Sequence, residues 1–109
     1  MLRIYPVLVG LVRDVAPVLE EIRRHDPDLA RQGRRSATSG PLNLAEGAYS
    51  RGQNRAAKYH VALGSTRELL SCLEVAEALG YIEGIPRSFH ERFDHVIGVL
   101  VNILVPKKR

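Results

Sequence analysis

The sequence predicts an all-α fold, an antiparallel up-down bundle of four helices. Three observations predict it. Apolar residues recur at helical spacing in four successive segments. The connections between those segments are short, which makes neighbouring helices antiparallel. No stretch alternates apolar and polar residues with the period of a strand. A chain of 109 residues is read as a single domain, 1–109.

In the first segment Ile4, Leu8, Leu11, Val15, Val18, Leu19 and Ile22 lay one apolar stripe along a helix. Pro17 removes a backbone donor and collides with the carbonyl of Arg13, so a kink is expected there. The stretch HDPD at 25–28 stops this helix and supplies a cap for the next.

At about 100° per residue, Leu29, Gly33, Ala37, Gly40, Leu44, Gly47 and Ala48 fall on one third of a second helix, with Arg31, Arg34 and Arg35 outside it. This helix contains Pro41 and three glycines, and is expected to kink at the proline. A mid-helix proline costs about 3 kcal/mol and each glycine about 1 against alanine. A face this thin offsets those costs by letting a neighbouring helix approach closely. Gly47 and Gly52 suit the helix end.

The third segment runs from about Asn54 to Leu79. Ala62, Ser65, Leu69, Cys72, Leu73, Ala76 and Leu79 form one stripe, and Leu63, Thr66 and Leu70 form a second. So wide an apolar surface calls for more than one neighbour, the bundle core on one side and a subunit contact on the other. The fourth segment runs from Pro86 to Val105, with Ile85, Phe89, Phe93, Val96, Leu100, Ile103 and Leu104 as its stripe. Lys107, Lys108 and Arg109 follow as a basic tail.

Several function classes are not expected. The longest apolar run, Val96 to Val105, is too short to span a bilayer and contains Asn102. The N-terminal apolar run lacks a small-residue cleavage site, so no signal peptide is expected. The lone Cys72 reads as a small apolar filler in a reducing cytoplasm. HERFDH at 90–95 looks like a zinc site, but its histidines are five apart and diverge by about 140°. His90 with Asp94, and Glu91 with His95, are spaced as solvated helix-face pairs. No nucleophile elbow or phosphate loop is present. The protein is read as a non-enzyme with no metal and no cofactor.

Charge is the remaining signal. Residues 28–60 carry six Lys/Arg against two Asp/Glu, a net +4, and residues 61–84 carry one against four, a net −3. Arg31, Arg34, Arg35, Arg51, Arg55 and Lys58 are therefore candidates for phosphate contacts, with Tyr49 and Tyr59 nearby to stack on bases. The competing reading pairs these cations with Glu74, Glu77 and Glu83 of a neighbouring subunit. Asn43 and Glu46, with Ser65 and Glu68, read as a polar network in the close-packed region, Glu46 being buried against Arg34, Arg35 or Arg67.

Two blocks carry a resemblance. QGRRSATSGPLNLAEG (Gln32 to Gly47) and ALGSTRELLSCLEVAEALGYI (Ala62 to Ile82) resemble the two signature blocks of the bacterial four-helix-bundle proteins encoded in intervening sequences of large-subunit ribosomal RNA genes. The accessory variability protein of diversity-generating retroelements is a more distant relative. The resemblance implies a ring-like homopentamer with a basic, nucleic-acid-binding surface, and in the retroelement relatives a reverse transcriptase as partner. Carried over to this sequence, the motif positions are Gln32, Arg34, Arg35, Asn43, Glu46, Gly47, Gly64, Ser65, Glu68 and Leu69. Gly33 and Gly40 depart from the pattern, standing where the family has branched apolar residues, and the first helix lacks the family's Trp.

Overall fold

The computed structural model describes residues 2–106; the basic tail read at 107–109 lies outside them. The described residues form four helices and no strand: α1 (Ile4–His25), α2 (Pro27–Ala48), α3 (Gly52–Ala78) and α4 (Arg87–Leu104). Each packs chiefly on its neighbours, α1 on α2 and α4, α3 on α2 and α4. The molecule is 45 Å long and 24 by 20 Å across.

The four stripes meet in one core. On α1, six of the seven predicted positions are buried and Val18 is half-buried. On α4, Phe89, Phe93, Val96 and Leu100 are buried, but Ile103 is 44% exposed, because it lies in the last turn where the core tapers out. Leu79 was expected in the core and is 57% exposed; α3 ends at Ala78, and Leu79 only caps it. Gly80, at φ +77°, turns the chain out of α3 in a conformation that suits glycine.

The turn between α1 and α2 is a single residue, Asp26. One of its carboxylate oxygens accepts from the Leu29 backbone N–H at 3.0 Å, capping α2. Pro27 follows in the first turn, where its missing N–H costs nothing. The other oxygen accepts from the Tyr81 hydroxyl at 3.4 Å, and the Tyr81 ring stacks on His25 with centroids 5.2 Å apart. The segment after α3 is thereby held to the α1–α2 turn.

Helix α2 runs unbroken through Pro41, and α1 through Pro17. Gly40 has no Cβ to collide with the ring of Pro41. The glycines of α2 recur every seven residues along its buried face. A Cβ at Gly33 would lie 2.6 Å from Leu19 Cδ2 and 3.8 Å from Cys72 Cβ. One at Gly40 would meet Thr66 Oγ1 at 3.4 Å and Ser65 Cβ at 3.9 Å. One at Gly47 would overlap the Tyr59 ring. Gly47 thus stands in the last turn of α2, as its composition suggested, and is an interior contact residue as well. Gly52, at φ +59°, opens α3.

Arg92 ties α4 to α1, its guanidinium 2.8 Å from an Asp14 oxygen and 5.3 Å from the centre of the Phe89 ring. This hydrogen bond, followed by one from Arg13, holds the Asp14 carboxyl below the ordinary carboxylate range. A carboxylate whose pKa is depressed by folding contributes stability above its unfolded pKa and loses it as pH falls through the folded one. The thermal midpoint should therefore decline as pH falls below about 4. Asp14→Asn should flatten part of that decline; an unchanged acid limb in the variant would refute the assignment.

Candidate nucleic-acid interface

Of the motif positions, Gln32, Arg35, Ser65 and Glu68 meet along the seam between α2 and α3. The Ser65 hydroxyl donates to the Ser39 hydroxyl oxygen at 2.9 Å. The Asn43 side-chain amide donates to the Ser39 carbonyl at 2.9 Å and to its hydroxyl oxygen at 3.1 Å. Ser36 donates back to the Gln32 carbonyl at 2.9 Å. Beside this latch is an open groove of about 350 Å³ lined by Gln32, Arg35, Ser36, Ser39, Ser65 and Glu68. Among the described residues no buried side-chain polar atom lacks a partner. The network therefore reads as a satisfied inter-helix latch, available because small residues bring the two backbones close.

Two expectations for this region change. Glu46 is not buried: it is exposed and pairs with Lys58 at 2.7 Å, toward the opposite end of α2 from Arg34 and Arg35. Tyr59 is 4% exposed beneath Gly47, so it cannot stack on a base, whereas Tyr49 is 83% exposed. Tyr59 lies four residues before Leu63 and seven before Thr66, so the second α3 stripe already carried the signal for its burial. Cys72 is buried, and burial followed by the charge of Glu68 pushes its thiol up, away from the reactive thiolate.

The six candidate cations do not form one patch. Arg31, Arg34 and Arg35 sit in the first half of α2, while Arg51, Arg55 and Lys58 surround the turn into α3. From Arg34 to Ala48 α2 rises about 21 Å. At the α2–α3 turn the cations are largely engaged: Arg55 donates to the Ser50 carbonyl at 2.9 Å and Lys58 pairs with Glu46. Arg51 stands at the N-cap position of α3, makes no capping side-chain bond there, and is exposed.

At the other end Arg34 and Arg35 diverge by about 100°. Arg34 leans over α1, lining a depression with Val12, Ala16 and Leu19. Arg35 leans toward α3 and lines the groove with Ser65 and Glu68. Arg34 is joined by Arg23, in the last turn of α1, and the neighbouring Arg24 bears with Arg34 on Glu20; neither stands among the six cations expected from the sequence. The paired arginines just before the helix stop were the available signal. Arg23 and Arg31 line a depression with Arg34. A hydrogen bond from Arg23, with further help from the charges of Arg24 and Arg34, lowers the Glu20 pKa. Arg23 is engaged with Glu20, and Arg31 with Asp28 at 3.0 Å. Among the described residues Arg24, Arg34 and Arg35 have no carboxylate within 4 Å. Exposed guanidinium groups in this state are suited to bidentate contact with phosphate oxygens. No group of three His, Cys, Asp or Glu positioned to hold a metal occurs among the described residues, and none of the helices is long and apolar enough to cross a membrane.

No curated protein and no solved structure matches the chain significantly. The sequence model of the 23S rRNA-intervening sequence protein family matches residues 2–102, nearly the whole chain, and the chain belongs to that family.

Proposed function

We propose that the protein is a non-enzymatic, cytoplasmic, self-assembling helical bundle that binds RNA or DNA through the basic surface at the α1–α2 end. The observation that carries this reading is Arg34, exposed and with no carboxylate within 4 Å among the described residues, lining a depression with Arg23 and Arg31, while Arg24, exposed beside Arg23, acts with it on Glu20. Repeating that surface around a ring of copies, five by the family resemblance, multiplies the number of phosphates met at once. The reading includes a bend of α2 at Pro41, which leaves the Ala37 carbonyl without its helical donor.

Binding of labelled RNA and DNA should weaken steeply between about 50 and 200 mM salt, as counterion release requires. Arg24→Ala with Arg34→Ala should reduce the salt slope by about 2 and weaken both nucleic acids alike. Equal, negligible retention of RNA and DNA at low and moderate salt would sink the reading.

A second reading makes the protein a scaffold whose arginines pair between subunits or engage a nucleic-acid-processing protein such as a reverse transcriptase. It is favoured by Glu74 and Glu77, exposed on α3 and without a cation within 4 Å among the described residues. If the Arg24→Ala/Arg34→Ala variant dissociates by light scattering, the second reading gains. If it stays assembled but loses nucleic acid, the first does.

A further inference from the structure

Helix α3 has an outer face that its own protomer leaves uncovered. Ala57, Val61, Gly64, Glu68, Ser71 and Val75 follow one another at alternating spacings of four and three, the spacing of a helix-packing seam, and all six are exposed. Val61 and Val75 are 47% and 45% exposed, a Cβ at Gly64 would meet nothing within 4 Å, and only one of the six is charged. A face turned permanently to water has no reason to keep that period with so little charge. Helix α2 carries a second ladder of the same period: Arg31, Arg35, Thr38, Leu42, Ala45 and Tyr49. In it Leu42 is 57% and Tyr49 83% exposed.

The two ladders match rung by rung. Within the protomer α2 and α3 are antiparallel, and the close approaches fix their heights: Gly33 is level with Cys72, Gly40 with Ser65 and Thr66, Gly47 with Lys58 and Tyr59. Residue numbers at one height thus add to 105 or 106. A rotation about an axis parallel to the helices changes neither height nor direction. It therefore brings α2 of one copy antiparallel beside α3 of another at the same levels. Those levels set Tyr49 against Ala57, Leu42 against Gly64, Arg35 against Ser71, and Arg31 against Val75 beside Glu74. At each of these rungs a large side chain meets a small one. The cations of α2 fall level with the acidic half of α3, and its apolar Leu42 and Tyr49 with the half that has no acid. With either helix turned end for end, Leu42 would fall on Glu68 and the cations would lie level with the half of α3 that has no acid.

We infer that the outer ladder of α2 packs into the outer ladder of α3 of a second copy of this chain, with Leu42 seated on Gly64 and Arg31 beside Glu74. The inference rests on the self-assembly proposed above and names its contact. It also divides the arginines: Arg31 and Arg35 serve the contact between copies, and Arg34 with Arg24 stays open to phosphate.

Cysteine cross-linking of the full chain tests it, in a Cys72→Ala background so that only the introduced thiols react. Leu42→Cys with Gly64→Cys should give covalent species of two or more chains on a non-reducing gel under mild oxidation. So should Tyr49→Cys with Ala57→Cys. Leu42→Cys with Val75→Cys, more than two turns out of register, should give at least tenfold less. A link within one chain would leave the mass unchanged and so cannot imitate the result. Light scattering of the unsubstituted protein separates two kinds of failure. A monomer overturns the self-assembly reading and this contact together. An assembly in which the matched pairs cross-link no better than the mismatched pair overturns the contact alone. Leu42→Glu and Gly64→Glu, both at exposed positions, supply a second measurement. Each should leave helicity intact and shift the mass to that of a single chain, and an unshifted mass for both would overturn the contact.

Discussion

Gly47→Val is expected to destabilise the protein by about 2 kcal/mol, since an overpacked core costs about 1–3 kcal/mol and the helix-propensity gain over glycine recovers only part of it. In a domain of this size that is a fall of roughly 10 °C in the thermal midpoint. The reason is local. The new Cβ would overlap the ring of Tyr59, and Lys58 Cβ would lie 3.2 Å away. Tyr59 is 4% exposed, so its ring has no room to swing aside without opening the core. Gly98 is the control: it too lies inside a helix, but a Cβ there meets nothing within 4 Å. Gly98→Ala should therefore be neutral or gain up to about 1 kcal/mol. Tyr59→Leu should recover part of the Gly47→Val loss, because the two residues share one space and their effects are not additive. A Gly47→Val variant that melts with the unsubstituted protein would mean that α2 and α3 do not approach as closely as described.

Gly47 also marks where sequence reasoning reaches its limit. Period alone placed it on the buried stripe of α2, and composition alone assigned it to the helix end. Both hold, since Gly47 is buried in the last turn of α2; what a helical wheel does not say is which residue of another helix lies opposite, and here that is Tyr59. The four stripes were legible because they are properties of single helices: each needs only the 3.6-residue repeat and the polarity of its own residues. Leu79 and Ile103 went astray for a related reason. Periodicity extends a stripe past the point where the helix stops or the neighbours run out. Glu46 shows the same limit in charge. Its place beside the small-residue stripe suggested burial with an arginine, but it lies on the flank facing Lys58, a partner brought near by the turn into α3.

The arginines show what lies between these cases. That Arg31, Arg34 and Arg35 face away from the core followed from the sequence. That Arg34 leans over α1 while Arg35 leans toward Glu68 did not. A step of one residue turns about 100°, and the meaning of that turn depends on which helix stands on which side. The split between the two basic ends was equally hidden. A net +4 over residues 28–60 reads as one region in the chain, yet α2 carries its two halves apart along the bundle. Arg24 was not among the six because it belongs to another segment and bears with Arg34 on Glu20 only through the one-residue turn at Asp26.

The largest single loss of stability should come from Phe93→Ala, at about 3–5 kcal/mol for a fully buried phenylalanine. Phe93 is fully buried, and among the fully buried side chains it is the largest. Truncation leaves a void that α1 and α3, each held on both sides by other helices, are poorly placed to fill. Set against a total stability of about 5–15 kcal/mol for a domain, the loss leaves the variant near the edge of folding at physiological temperature. Phe89→Ala should cost less. Phe89 is 8% exposed, so part of its space reopens to water, although its loss also removes the ring beneath Arg92 and loosens the Arg92–Asp14 bridge. Phe93→Leu keeps most of the volume and should cost about 1–2 kcal/mol, measured by urea unfolding with an unchanged m-value. The order Phe93→Ala, Phe89→Ala, Phe93→Leu is the test. A Phe93→Ala variant within about 1 kcal/mol of the unsubstituted protein would mean that α4 is not the fourth wall of the core. None of the three touches the α1–α2 end, so below their melting temperatures all should keep the salt slope for RNA. A changed slope would place α4 at the interface with nucleic acid, where its Arg87 and His90 would then have to be counted.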